Sequence, residues 1–288
     1  MGDETFDAAG ELLIVGGGRM GEALAAGLLG RGWPADRLVV VEALAARRED
    51  LARDHPGLRV EATAGAAASG LNGASGRGAG SGRGGLGAVV AVKPHDVAGV
   101  CADLDALGVD RVLSIAAGVT LADIEAVLTR AAVLRAMPNT PALVGAGAAA
   151  LSPGTRAGAA DVEWAGAILG AIGIVVDLPE ASLDAVTGLS GSGPAYVFLV
   201  AEAMIDAGVL AGLTRPVARQ LAVQTLLGSA RLLAETGEEA SALRAAVTSP
   251  GGTTAAGLRA LEAAGLRSAF LEAVMAAAGR AGELGRPH

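Results

Sequence analysis

The sequence predicts an α/β domain built on a parallel sheet, followed by an all-helical domain. Three observations predict it. Short apolar runs alternate with helical patterns from residue 11 to about residue 178. A glycine cluster follows the first apolar run directly. From Ser182 onward almost every segment has helical periodicity. Strands that alternate with helices, and that are apolar on both faces, need helices on both sides of a sheet.

Taken in order, residues 12–15 (LLIV) form the first strand, GGGRMG a tight turn, and Ala23, Leu24, Gly27 and Leu28 the apolar stripe of a helix. Residues 38–41 are the second strand, 44–54 a helix and 59–60 a short third strand. Residues 88–92 form a buried strand stopped by Pro94. Residues 111–115 form the next strand, 121–129 a helix, and 133–137 and 147–151 two more strands. A helix at 162–169 and a last strand at 174–176 close the domain, which is expected to span 11–178. Within it, residues 70–87 (GLNGASGRGAGSGRGGLG) lack apolar period and read as a flexible insertion in a surface loop. With two arginines and no aromatic, that tract is a poor RNA-binding segment. The second domain is expected over 179–288, with helices at 182–189, 194–211, 215–236, 239–247, 253–264 and 267–284. Helix 194–211 is apolar on almost every face and must be covered all round, which favours burial by a partner subunit over burial by its own neighbours.

Composition narrows the function. The chain of 288 residues has a formal net charge of −8 and 2% aromatic residues, which disfavours a nucleic-acid groove. Half the residues are hydrophobic (52%), yet the most apolar run, 196–213, contains Glu202 and Asp206, so no membrane span is expected. The single cysteine, Cys101, excludes an internal disulfide and a cysteine-based zinc cluster. His55, His95 and His288 have no spacing that suggests a metal or a catalytic triad, and no metal is expected. The acidic start, MGDETFDAAG, has no secretory h-region, and Phe6 stands where a myristoylation site needs Ser or Thr, so the expected setting is the cytoplasm. Lys93 is the sole lysine, Tyr196 the sole tyrosine and Asn139 one of two asparagines, which singles these positions out.

Four motifs carry the chemistry. Gly16-Gly17-Gly18-Arg19-Met20-Gly21 fits the dinucleotide fingerprint G-x-G-x-x-G between a strand and a helix. Gly16 permits the turn, Gly18 lets the backbone approach a diphosphate, and Gly21 lets the helix sit close to the sheet. Glu42, ending the second strand, is placed to bond a ribose hydroxyl and to repel a 2′-phosphate. That favours NADH over NADPH, unless Arg47 and Arg48 fold back to offset it. Ala91-Val92-Lys93-Pro94 lies at the carboxyl end of a strand, where Lys93 can place its charge near the cofactor. Met137-Pro138-Asn139-Thr140-Pro141 is a rigid loop in which Asn139 can bond an amide or a backbone turn. Thr248-Ser249-Pro250-Gly251-Gly252-Thr253-Thr254 precedes an apolar helix and offers N–H groups and hydroxyls to a small anion such as a carboxylate. No His–Asp dyad serves an alcohol, but a protonated imine accepts hydride without one.

These motifs, with 184–187 (DAVT), 189–196 (LSGSGPAY) and 116–120 (AAGVT), resemble the pyrroline-5-carboxylate reductases, most specifically at 247–254 (VTSPGGTT). The resemblance covers nearly the whole chain. It implies a Rossmann domain and a helical dimerisation domain in which two subunits interlock, with dimers often assembling into decamers. It implies reduction of L-1-pyrroline-5-carboxylate to L-proline with NADPH or NADH, the last step of proline biosynthesis. It places Ser249, Gly252, Thr253 and Thr254 on the substrate carboxylate, Thr254 also on the ring nitrogen, and Glu180 near the substrate. Ala91, Ala116, Ala117 and Asn139 would line the nicotinamide side, and Tyr196 would pack in the dimer helix. The chain departs from the family at Thr63-Ala64, where an Asn often meets the cofactor, at Ala246, and in the insertion. Two other readings are a β-hydroxyacid dehydrogenase and a silent dinucleotide sensor. The first needs a lysine on the helical domain, where there is none, and the second has no use for an anion cradle.

Overall fold

A computed structural model describes residues 10–69 and 85–285. Its first part alternates as expected: β1 (Glu11–Val15), α1 (Arg19–Gly30), β2 (Leu38–Val41), α2 (Ala45–Asp54), β3 (Arg59–Glu61), α3 (Ala64–Ser69), β4 (Leu86–Val90), α4 (Val97–Leu107), β5 (Arg111–Ser114), α5 (Leu121–Val127), β6 (Ala132–Met137), β7 (Gly147–Pro153), α6 (Ala159–Gly170) and β8 (Gly173–Asp177). Most of the expected insertion, residues 70–84, lies outside the described residues, and β4 begins at Leu86, two residues earlier than the sequence pattern suggests.

The eight strands form one sheet in the order β3-β2-β1-β4-β5-β6-β7-β8. The first six run parallel. The expectation of a parallel sheet fails at its far edge, because β7 pairs antiparallel with β6 and carries β8 with it. A parallel return needs a crossover of a dozen or more residues. Only a short 3-10 turn, Thr140–Val144, separates β6 from β7, so the chain must double back. Strand order reverses beside β1, and the carboxyl ends of β1 and β4 flank the crevice where folds of this kind bind ligands.

Alternate residues of each strand supply two core layers. Leu12 and Ile14 face a layer with Leu24, Leu28, Ile168 and Leu169 from α1 and α6. Leu13 and Val15 face a second with Val97, Cys101, Leu104 and Ile124 from α4 and α5. Cover on both faces explains why the central strands β1, β2 and β4 are mostly apolar, whereas the edge strands β3 and β8 are partly exposed.

After β8 come a 3-10 turn (Glu180–Ser182), α7 (Leu183–Val186), a π turn (Thr187–Gly191), α8 (Gly193–Leu210), α9 (Arg215–Thr236), α10 (Ala240–Ala246), α11 (Thr253–Ala263) and α12 (Leu266–Leu284). The chain divides into two compact units. One runs to Gly191 and regains the chain from Ala277; the other is Ser192–Ala276. The division therefore falls later than the expected 178/179. The reason is local. Ser152 Oγ donates to Leu178 O, Leu183 is buried, and Glu180 is bonded to Arg135 and to the start of α5, so this stretch stays with the sheet.

In the second unit only Ala218 and Ala222 of α9 are buried, and α8 has no buried residue. A Cβ placed on Gly208 would lie 3.0 Å from Ala218 Cβ, so small residues let α8 and α9 approach. By length and composition alone, the run Glu180–Leu210 passes as a membrane span, contrary to the expectation from sequence. It is broken by the 3-10 and π turns, and its long helix carries Glu202 and Asp206.

Candidate functional site

The glycine turn is built as its spacing requires. Gly16 has φ +109, and a Cβ there would stand 2.6 Å from Ala91 O, so both the conformation and the contact with the end of β4 need glycine. A Cβ on Gly21 would collide with Gly16 O, which fixes how closely α1 approaches the turn. Around Gly18 there is open space, with nothing within 4 Å of a Cβ position. Helix α1 starts there with no side-chain cap. Its first N–H groups and the positive end of its dipole thus face an open cradle of the kind that takes a diphosphate. Arg19 is exposed beside it, whereas Met20 turns into the core and can offer only backbone.

Glu42 lies at the rim of the same turn. Its Oε2 accepts from Gly17 N at 3.0 Å and its Oε1 from Leu44 N at 2.8 Å. Arg47 and Arg48 fold back over the turn beside Glu42, the condition under which the lean from Glu42 toward NADH is offset. Arg47 donates from Nε to Gly17 O at 2.8 Å and from Nη2 to Glu22 Oε2 at 2.6 Å. Arg48 Nη1 donates to the carbonyls of Glu42 and Ala43. Glu22 also meets His55 Nε2 at 3.1 Å. Burial would raise the Glu22 carboxyl, but the bonds and charges of Arg47 and His55 prevail and hold it below the usual carboxylate range. The Glu22–Arg47–His55 brace escaped the sequence reading, since its members lie 25 and 33 residues apart.

At the other strand ends, Lys93 is exposed just after β4, at the head of a 3-10 turn. Ala116 is buried after β5, and the exposed Ala117 next to it lines a cavity of about 560 Å³. That cavity also touches Val97, Cys101, Ile124, Arg135 and Leu284. Burial pushes the Cys101 thiol up to about 11.

Two expected site residues are largely committed to structure. Asn139 is 9% exposed; its Nδ2 donates to Ser190 O at 3.0 Å and its Oδ1 accepts from Ala148 N at 2.9 Å. One N–H is left to meet anything else. Glu180 Oε1 accepts from Arg135 Nη1 and from Leu121 N, both at 2.7 Å. Thr63 Oγ1, where the family pattern often has Asn, accepts from Ala66 N within the first turn of α3.

In the second unit, α11 begins at Gly252 with no side-chain cap. Gly251 has φ +70, a conformation that favours glycine, and a Cβ on Gly252 would displace the Ser249 hydroxyl and stand 3.2 Å from Ser249 O. Gly252 N donates to Ser249 O at 3.1 Å. Thr248 Oγ1 donates to Arg244 O, while Ser249 precedes the helix and Thr253 and Thr254 open it. A helix N-terminus without a side-chain cap, with hydroxyl residues in sequence beside it, is of the kind that can hold a small anion. Tyr196 packs within this unit, with its hydroxyl 3.4 Å from Ala273 O.

Residues 180–284 match the family model for pyrroline-5-carboxylate reductase dimerisation. Over 96% of its length the chain is 44% identical to the pyrroline-5-carboxylate reductase of Synechocystis sp., covering 98% of that protein. The chain belongs to the pyrroline-5-carboxylate reductase family. The Mycobacterium tuberculosis member is 43% identical, with 95% of this chain and 96% of that protein covered. Among solved structures, the reductase of Coxiella burnetii superposes with a TM-score of 0.86 at 34% identity, covering 97% of this chain and all of that one. The Plasmodium falciparum pyrroline carboxylate reductase, solved with NADP bound, superposes with a TM-score of 0.79 at 27% identity, covering 96% and 98%. Membership of this reductase family disfavours the hydroxyacid-dehydrogenase and silent-sensor readings.

Proposed function

We propose that the chain reduces L-1-pyrroline-5-carboxylate to L-proline with NAD(P)H, as a cytoplasmic enzyme of proline biosynthesis. The 44% identity to a reductase across 96% of the chain carries this reading. The open glycine cradle at Gly18 is consistent with a dinucleotide. When bound, the reduced nicotinamide supplies the hydride.

The protein's own part is binding and orientation. The N–H groups opening α1 hold the diphosphate, with Arg19 beside them, and Glu42 holds the adenosine ribose. Ala91, Lys93, Ala116 and Ala117 border the nicotinamide end, with the remaining Asn139 N–H available to it. The opening turn of α11, with Ser249, Gly252 and Thr253, holds the substrate carboxylate. The Thr254 hydroxyl bonds the ring nitrogen and steadies it as the C=N bond takes up hydride at carbon and the nitrogen keeps its proton. Within the first unit, Glu180 fixes Arg135 and the start of α5. The working form is a homodimer, and dimers assemble into a decamer as the larger form.

The direct test is oxidation of each reduced nicotinamide in the presence of pyrroline-5-carboxylate, followed by absorbance. Thr254→Ala should lower kcat/KM by about a hundredfold, the scale of one lost transition-state hydrogen bond, with dinucleotide affinity unchanged. Full turnover in that variant would refute the role of the hydroxyl.

A further inference from the structure

Resting on the dinucleotide reading above, we propose that Arg47, anchored by Glu22, is a positioning residue that sets the Gly17–Gly18 peptide to receive the diphosphate common to NADH and NADPH. Gly17 has both of its backbone polar groups bonded to side chains from outside the turn. Its N–H donates to Glu42 Oε2 at 3.0 Å, and its carbonyl accepts from Arg47 Nε at 2.8 Å. In a trans peptide the C=O and the following N–H point in opposite directions. Holding the Gly17 carbonyl toward Arg47 therefore turns the Gly18 N–H away from it. That N–H has no hydrogen-bond partner among the described residues, and a Cβ on Gly18 would find nothing within 4 Å. The same bond keeps the Gly17 carbonyl oxygen, which would repel an anion, from swinging into the cradle.

One guanidinium does this by bridging two acceptors. Arg47 Nη2 donates to Glu22 Oε2 at 2.6 Å while Nε holds the turn, and Glu22 Oε1 meets His55 Nε2 at 3.1 Å. The rigid fork of an arginine fixes both bonds at once. The three side chains are only 22–26% exposed, so the bridge is shielded from water and salt more than a surface ion pair is. Glu22 sits in the first turn of α1, next to the cradle, and its own N–H donates to Gly18 O at 2.9 Å. Left unpaired there, its carboxylate would oppose a diphosphate. Paired, it becomes the anchor for Arg47.

Helix α2 has no need of Arg47 for itself. The residue lies in the first turn of that helix, at the positive end of its dipole, where a cation is unfavourable. It shares one face with Leu51 and His55, four and eight residues on. Leu51 is fully buried against the turn, since a Cβ on Gly17 would stand 2.6 Å from its Cδ1. Helix α2 thus lies over the glycine turn, and Arg47 is its polar hold on it.

Equilibrium titrations of the full-length protein with NADH and with NADPH, read by nucleotide fluorescence, test this apart from turnover. Arg47→Met removes both donors and keeps the apolar stem. It should weaken the two dinucleotides alike, each by about tenfold, the scale of one hydrogen bond to a charged group. Glu22→Ala should weaken both by about threefold, and the double variant should bind no more weakly than Arg47→Met alone, because Glu22 acts through Arg47. Circular dichroism establishes folding. Should Arg47→Met not fold, Arg47→Lys, whose ammonium lacks the planar fork, should show an equal loss of at least about threefold for each dinucleotide. A folded Arg47→Met protein with unchanged affinities overturns the proposal. So does a loss confined to NADPH, which would make Arg47 a ligand of the 2′-phosphate, and so do losses at Glu22 and Arg47 that add. A wild type that binds neither dinucleotide would remove the reading on which the proposal rests. A wild type that binds both, with the expected losses in its variants, but does not turn over pyrroline-5-carboxylate would overturn the reductase reading alone.

Discussion

Asn139 ties two distant backbone groups together, Ala148 N in β7 and Ser190 O in the π turn. Its scarcity in the sequence marked the position, but nothing local could say that its amide would be spent on these partners, 9 and 51 residues away. The partners of Glu180, Leu121 and Arg135, were equally out of reach of the sequence, because only the fold brings them to it. Glu42, by contrast, was legible because strand end, turn and acid occur at a fixed spacing. Asn139→Ala should cost about 1–3 kcal/mol, since it leaves a partly buried donor and acceptor without their partners. Denaturant unfolding measures this. Asn139→Asp keeps the acceptor for Ala148 N but sets a largely buried carboxylate oxygen against Ser190 O, so it should lose at least as much. A stability loss below about 0.5 kcal/mol for the alanine variant would show that the Asn139 bridge between Ala148 and Ser190 is not structural.

At the scale of elements, strands were easier to read than their directions. Period and bounding residues located β1, β2, β5 and β6 within one residue, because each centres on a short apolar run. Helices α3 and α4 were missed. The first is six residues of small side chains, and the second follows directly on a 3-10 turn at Pro94–Asp96. The reversal at β7 was missed because the alternation suggested continued crossovers, while the deciding fact is the shortness of the link from β6. The β1–α1 unit is the element on which dinucleotide binding depends. Gly21→Ala would drive a methyl group into Gly16 O and lever α1 off the turn. Overpacking of this kind costs about 1–3 kcal/mol. The expected result is a lower unfolding midpoint and a larger fractional loss of dinucleotide affinity than any change in KM for pyrroline-5-carboxylate. Wild-type affinity in Gly21→Ala would mean that close approach of α1 is not needed for binding.

The two compact units differ in how far each satisfies itself. The first has two buried layers, in which Leu12, Leu13, Ile14, Leu24, Leu104 and Leu113 have no exposure. The second exposes Val197, Phe198 and Leu199 by more than half, together with Leu221 and Leu227 on α9 and Leu271 and Met275 on α12. A helix with as much apolar surface as α8 and no buried residue is not stable facing water. The match of residues 180–284 to a dimerisation family model supports a second copy of the chain as its cover. This need was legible in the sequence, since helix 194–211 has no polar face. Which residues bury which could not be read, because the partner surface is not adjacent in sequence. Folding of the second unit is then linked to association, so its midpoint of thermal unfolding should rise with protein concentration. Phe198→Arg puts a charge into the covered face and should shift light scattering from dimer toward monomer, with loss of turnover. The first unit carries the glycine turn whole, so the same variant should still bind NADH. A concentration-independent midpoint with a monomeric wild type would reverse the assignment of α8 to a subunit interface and require its own neighbours to cover it.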